Sequence, residues 1–219
     1  MILISILFRR GNQLTADKAI ADLERQGSHI LYTLQSKQRY EKMLATGRLR
    51  GDGRSVNWLY RMAYRCLTDH ARKHFDKPTF PTYPVWAWYW PKPTPTTCTK
   101  YWWGNIDEYV VIEFEADRSK FIPSDWEVFD YCHCGGYVPD SQADWDRWAN
   151  LPYETEADEL ASAAEAEASW YKVFDLNWRR NTDFAPLKTD GKKPYQLRIQ
   201  VIMSEIRLEA VRKVTHFKR

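Results

Sequence analysis

The sequence predicts an α+β fold, and three observations carry that expectation. Four stretches read as strands: "HILYTLQ" at 29–35, the interval between Pro84 and Pro91, "IDEYVVIEFE" at 106–115, and the run through Leu197, Ile199, Val201 and Met203. Helical stretches with recognisable starts and stops lie between them. The composition, 44% hydrophobic with 28% charged residues, is that of a soluble globular chain able to bury a core. No internal repeat and no linker divides the 219 residues, so a single domain over 1–219 is expected, with 1–28 as an N-terminal extension or appended helix.

Each element has a local reason. "LTADKAIADLERQG" carries an N-cap candidate in Thr15, an apolar stripe of Ala19, Ile20 and Leu23, and a stop at Gly27. After the strand at 29–35, Ser36 can cap a helix whose Tyr40, Met43 and Leu44 share a face before Gly47 ends it. A longer helix is expected from about Arg54 to Phe75, with Trp58, Leu59, Met62, Ala63, Cys66 and Leu67 facing the core. Arg54, Arg61, Arg65 and Arg72 line a different stripe, read either as a solvated face or as contact with a polyanion.

Proline recurs from Lys77 to Pro95 and confines any strand there to "VWAWYW". Period-two alternation puts Trp86, Trp88 and Trp90 on one face and Val85, Ala87 and Tyr89 on the other. "PSDWEVFDY" is expected to start a turn or short helix capped by Ser124 or Asp125. The Ala- and Glu-rich segment 154–169 favours helix, and Trp170, Val173 and Phe174 would dock its end. Residues 181–194 read as a long loop, and Val211, Val214 and Phe217 as the last of the core.

Composition also limits function. A net charge of +3 does not by itself announce a nucleic-acid binder, although residues 37–77 are mostly basic and 154–167 acidic. The apolar opening "MILISILF" is far short of the roughly 20 residues that span a bilayer, and its arginines follow the apolar run. No export and no membrane is expected; a buried strand or an upstream start codon accounts for the opening equally well. Cys66, Cys98, Cys132 and Cys134 are expected as free thiols in a reducing cytoplasm. "CHCGG" lacks a partner pair, so no metal is expected. Glycine-rich phosphate loops, HExxH and a nucleophile elbow are absent from the sequence. Any chemistry must come from carboxylates, amides, hydroxyls and aromatics, which suits stabilisation of a cationic transition state.

"LYTLQSKQRYEKMLATGRL" resembles the opening of ADP-ribosyltransferases, above all the bacterial toxins that modify thymidine in single-stranded DNA. In that family a strand carries His-x-Thr, an apolar pair follows, and Gly-x-Leu or Gly-Gly-Leu closes the turn. Thr33 falls at the His position and Gln35 at the Thr position. Met43–Leu44 match the apolar pair, and Gly47 and Leu49 the turn. "YPVWAWY" is similar to the next strand of the toxins, and "IMSEIRLEAV" to the motif in which an acidic residue opens a strand. The whole chain also resembles an uncharacterised family of small bacterial proteins through phrases such as "YTLQ", "IEFE" and "VRKVTHF".

The resemblance implies a split mixed or antiparallel sheet with flanking helices, NAD as substrate, and a macromolecular acceptor. Glu205 becomes the catalytic glutamate, with Glu209 as fallback; read from its neighbours alone, Glu205 is an exposed strand-end glutamate paired with Arg207 or Lys213. Thr33, Gln35 and Tyr40 would hold the nicotinamide and its ribose, and Trp88 or Tyr89 a wall of the cleft; Arg50 and Asp52, in the turn "RLRGD", suit phosphate and ribose contacts or a salt bridge within the turn equally well. Thr-x-Gln in place of His-x-Thr removes an imidazole, although a Gln amide can both donate to and accept from a carboxamide. RNA or single-stranded DNA is the expected acceptor, held by Arg61, Arg65, Lys92, Lys100, Trp102 and Trp103. A toxin or phage-defence role, with an inhibitor or antitoxin protein as partner, follows by analogy. The alternatives are a non-catalytic module that holds single-stranded nucleic acid, and an interaction protein whose acidic helix meets a basic partner.

Overall fold

The computed structural model describes residues 16–56, 60–75, 79–92, 108–189 and 197–218. Expectations placed on the apolar opening, Thr15, Trp58, Leu59, Cys98, Lys100, Trp102 and Trp103 lie outside the described residues. The described elements run α1 (Ala16–Arg25), β1 (Ser28–Ser36), α2 (Lys37–Thr46), β2 (Arg48–Arg50), α3 (Arg61–His74), β3 (Val85–Trp90), β4 (Glu108–Asp117) and β5 (Phe121–Asp125). They continue with α4 (Trp126–His133), α5 (Gln142–Ala149), α6 (Glu156–Ser169), α7 (Trp178–Asn181), β6 (Ile199–Met203), β7 (Glu205–Arg207) and β8 (Val211–Lys218). The fold is α+β.

Two compact units share the chain: 1–25 with 124–198, and 26–123 with 199–219. The second unit is built on a six-stranded sheet in the order β5–β6–β3–β1–β4–β8, with β2 and β7 forming a separate two-stranded ribbon. The pairs β1–β3, β1–β4, β3–β6 and β4–β8 are all antiparallel. Thr33 lies opposite Ile112 and Leu31 opposite Phe114, so Val110, Ile112, Phe114, Val85, Ala87 and Val201 share one face with them, all buried. Burying each of the large side chains contributes about 1.5–3 kcal/mol. Across the sheet, Trp86, Trp88, Val111 and Glu113 are only half-buried. The aromatic strand therefore buries Val85 and Ala87 on one face and leaves Trp86 and Trp88 partly open on the other.

The predicted elements mostly stand, with informative differences. Ser36 caps α2 by accepting from Arg39 N at 3.3 Å, and Gly47 ends it with φ of 72°, a left-handed turn that suits glycine. Met43 fills the core but Leu44 is 49% exposed, and on α3 Met62 is 60% exposed while Ala63, Leu67 and Ala71 are buried. Both α2 and α3 bury a narrower stripe than the apolar pattern suggested. The helix expected from Arg54 begins at Arg61, because Asp52 caps a separate turn at Gly53–Ser55. Arg72 is structural: its guanidinium donates to Phe80 O, Thr82 Oγ1 and Asp69.

Val211, Val214 and Phe217 are half-buried instead of core, since β8 is an edge strand. Every residue of β6 is buried, so burial there is continuous along the strand instead of alternating. Pro123 sits within β5, the opposite edge, where a missing N–H costs little.

In the other unit, Asp125 caps α4 by accepting from Glu127 N at 2.9 Å. Cys132 and His133 occupy the last turn of α4; Cys132 is buried and His133 stacks on Phe129. Thr155 and Asp158 form a reciprocal capping box that starts the acidic helix α6. Trp170 and Val173 dock its far end, with Phe174 half-buried. The predicted loop begins with the last residue of α7. Among the described residues no helix is long and apolar enough to cross a membrane.

Candidate functional site

Antiparallel register places several chain ends together. Tyr32 lies opposite Trp88, so β1 runs towards Gln35 as β3 begins at Val85. Val85 in turn lies opposite Met203, the last residue of β6. The C-terminal end of β1, the start of β3 and the end of β6 therefore occupy one end of the sheet, and Glu205 follows Met203 by two residues. Strands next to each other are spaced about 4.8 Å apart.

At that end Thr33 is buried, and its Oγ1 donates to the carbonyl of Trp86 at 2.8 Å. The same oxygen accepts from Gln35 Nε2, also at 2.8 Å. A side chain thus reaches the β3 carbonyl where a ladder bond would be expected. β1 and β3 are in register at a single residue pair, against nine between β1 and β4. The seam between β1 and β3 is the loosest in the centre of the sheet.

The β2–β7 ribbon supplies the charge. Leu49 pairs with Ile206, and both are buried. Their neighbours project the other way, with Arg48 opposite Arg207 and Arg50 opposite Glu205. Arg50 Nε donates to Glu205 Oε2 at 3.0 Å, Arg207 Nε to Oε1 at 3.1 Å, and Arg48 stands 3.9 Å away. Burial pushes the Glu205 carboxyl up, but the bonds from Arg50 and Arg207 outweigh it and hold the group below its usual range. Glu205 is consequently ionised at neutral pH, with 18% of its side chain accessible.

Close packing holds the ribbon against the sheet. A Cβ on Gly51 would lie 1.9 Å from Tyr83 O, and one on Gly53 would meet the Tyr83 ring at 2.3 Å. The ribbon's exit strand therefore passes directly over the residues that lead into β3. Leu208 N donates to Gly47 O, and Arg39 Nη2 to Arg50 O at 2.5 Å, closing its other side. Two buried apolar residues, two glycines and an arginine fix where Glu205 sits.

Register thus puts Thr33, Gln35 and the strand end that leads to Glu205 at one end of the sheet, while Arg50 and Glu205 meet on the ribbon. Asp52 is next to it but is held by Arg54, whose N and Nε donate to Oδ1 at 3.0 and 3.1 Å; the Arg54 bonds keep this carboxyl below its usual range. Tyr40 meets the sheet on the β8 side, edge-on to His216 at 5.9 Å. Trp88 is opposite Tyr32 within the sheet, while Tyr89 lies towards the far end, edge-on to His29 at 5.2 Å. Lys92 sits 4.7 Å over the Tyr32 ring and 3.4 Å from Glu113. Arg61 and Arg65 are exposed on α3, whose Tyr64 packs edge-on against Trp86. Glu209 forms an exposed contact with Arg207 at 3.7 Å.

Arg48, Arg39 and Tyr83 were not singled out by sequence reasoning, whereas the pairing of Glu205 with Arg207 was one of its two readings of that glutamate and is present. "RLR" alternates exposed–buried–exposed and "EIR" half-buried–buried–exposed, but only the pairing of β2 with β7 makes them one cluster. Among the described residues no group of three or more His, Cys, Asp or Glu could hold a metal ion. No curated protein and no solved structure matches the chain. A family model does match, over residues 30–211, covering β1 to the start of β8: the chain belongs to DUF3841, a domain of unknown function.

Proposed function

We propose that this protein transfers ADP-ribose from NAD to a macromolecular acceptor, with nucleic acid as the acceptor class. The observation that carries the reading is the placement of an ionised Glu205 at the same sheet end as the linked Thr33–Gln35 pair, beside the loose β1–β3 seam.

The chemistry asks for such a carboxylate. Heterolysis of the bond between ribose C1′ and the nicotinamide nitrogen sends the electron pair to nicotinamide and leaves a cationic ribose. A fixed carboxylate near C1′ stabilises that charge as it develops. The acceptor nucleophile then bonds to C1′, and its proton passes to Glu205 or to solvent. Gln35 is suited to the carboxamide of nicotinamide, since its amide offers both a donor and an acceptor and Thr33 orients it.

Arg48, Arg50 and Arg207 suit the pyrophosphate. Three guanidiniums offer more donors than one carboxylate can accept, and their side chains are 50%, 60% and 67% accessible. Moving part of that charge to the pyrophosphate would leave Glu205 more free to face the ribose. Asp52 remains a candidate for a ribose contact, and Trp88 for the cleft wall.

Release of nicotinamide from NAD tests the reading. Glu205→Gln keeps the shape of the side chain and removes its charge, so a drop of about a hundredfold or more is expected. Equal release by wild type and Glu205→Gln would remove Glu205 from the mechanism. Absence of release by the wild type with any nucleic acid or protein acceptor would overturn the transferase reading. The exposed Arg61 and Arg65 favour one second reading, a non-catalytic module for single-stranded nucleic acid, which predicts salt-sensitive binding without NAD turnover.

A further inference from the structure

A concave feature lies where β4 begins and β8 ends, on the other side of β1 from the strands that lead to Glu205. Lys37, Glu108, Tyr109, His216 and Phe217 line a cavity of about 160 Å³. Register explains why they meet: Ser36 is opposite Tyr109, and Tyr109 opposite Phe217, so the first residue of α2 stands over the ends of the two strands. The Tyr109 and Phe217 rings are stacked, 5.4 Å between centroids and 16° from parallel, and both are half-buried. Lys37 Nζ and Glu108 Oε2 are 2.7 Å apart on the rim, with 46% and 41% of their side chains accessible.

We propose that this cavity binds a guanine base, stacked against the Tyr109–Phe217 pair with its polar edge on Lys37 and Glu108. The size limits the ligand. Sites for drug-sized molecules have about 300–1,000 Å³, so this one takes a single base and leaves sugar and phosphate outside. Two parallel rings form a wall that a third planar ring continues, and stacking of that kind accepts any base.

The rim selects among bases. Guanine presents two adjacent donors, its N1–H and exocyclic amine, beside the O6 acceptor. One carboxylate can accept both donors while an ammonium donates to O6. Adenine, cytosine and thymine each offer Glu108 at most one donor on the same edge, so they leave half of that recognition unused. The existing ion pair holds the two side chains together at the mouth of the cavity. This site lies outside the transferase chemistry and does not depend on NAD turnover.

Calorimetric titration with GMP and AMP tests the site directly. GMP is expected to bind about tenfold or more tightly than AMP, and Glu108→Gln to abolish the difference while leaving AMP binding nearly unchanged. Phe217→Leu should weaken both nucleotides together. A single strand containing one guanine, compared with the same strand carrying adenine there, identifies the source. Tighter binding of the guanine strand than of GMP supports a guanine within nucleic acid, and the reverse supports a free guanine nucleotide. Equal affinity of the wild type for GMP and AMP, no detectable binding of either, or a preference that survives Glu108→Gln overturns the proposal. Loss of nicotinamide release without loss of GMP preference, as expected for Glu205→Gln, separates this site from the transferase reading.

Discussion

Gly51 offers the sharpest test of how Glu205 is positioned. A methyl group added there would lie 1.9 Å from Tyr83 O, 2.6 Å from Tyr83 C and 2.8 Å from Pro84 O. All three atoms are backbone, so no side-chain rotation relieves the clash. The β2–β7 ribbon must move away from the strand that leads into β3. Overpacking of this kind costs about 1–3 kcal/mol. In a chain of this size, 1 kcal/mol corresponds to a Tm shift of about 2–4 °C, so Gly51→Ala should lower Tm by roughly 2–12 °C. Gly27→Ala is the matched control, because nothing lies within 4 Å of its added Cβ. Thermal unfolding of the two variants by circular dichroism gives the comparison. The shift also moves Arg50, the residue before Gly51 and the partner of Glu205, so any NAD-dependent activity of Gly51→Ala should fall even at temperatures where the variant is fully folded. Equal Tm values for Gly51→Ala and Gly27→Ala would refute the close approach, and with it the anchoring of Glu205.

Three further outcomes follow from named contacts. Thr33→Val keeps the side chain's shape but removes the hydroxyl between Trp86 O and Gln35 Nε2, which should cost about 1–3 kcal/mol in urea unfolding; a change below 0.5 kcal/mol would show that the bond is dispensable. Asp125 is pushed up to about 6 by burial, against which Arg179 and the bond from Glu127 N act. Its folded pKa exceeds the unfolded value near 3.9, so between about pH 4 and 6 the folded state binds more protons and stability falls as pH rises, by an amount of order 2–3 kcal/mol. Asp125→Asn retains the cap and should remove that slope; a wild-type-minus-variant stability difference that stays flat across this window would contradict the buried-carboxyl assignment. Thr155→Ala breaks the capping box of α6 and should cost about 1 kcal/mol, checked by thermal unfolding against an exposed Ala substitution elsewhere on the helix.

Short-range signals accounted for most of the element types. A cap, an apolar stripe and a glycine stop are local, so α2 and its Gly47 terminus were legible from ten residues of sequence. Alternation named the buried face of β4 because Val110, Ile112 and Phe114 meet a single packed layer. The same logic erred on β8, read as core, and did not reveal that the correctly placed β6 is buried on both faces. Apolar residues look alike in an edge strand, a one-sided strand and a strand buried on both faces, and only the strand order separates those cases. Leu44 and Met62 mark the corresponding limit for helices, where the width of the buried stripe depends on what packs against it.

Glu205, Thr33 and Gln35 could be picked out by residue type and by resemblance, but their relation to one another is tertiary. Glu205 is 170 residues or more from the other two, and no local pattern reports that β6 pairs with β3, or that three arginines from two short strands surround one carboxylate. The same holds for Tyr109 and Phe217, stacked by register across more than a hundred residues. By itself the sequence determined the α+β class, most helix and strand positions and the kinds of side chain available for chemistry, because each of those depends on neighbours within a few turns. Tertiary structure decided how wide the buried stripes are, which arginines surround the Glu205 carboxylate and where the cavity beside Tyr109 and Phe217 forms, because pairing and packing between distant segments set burial, electrostatic field and shape.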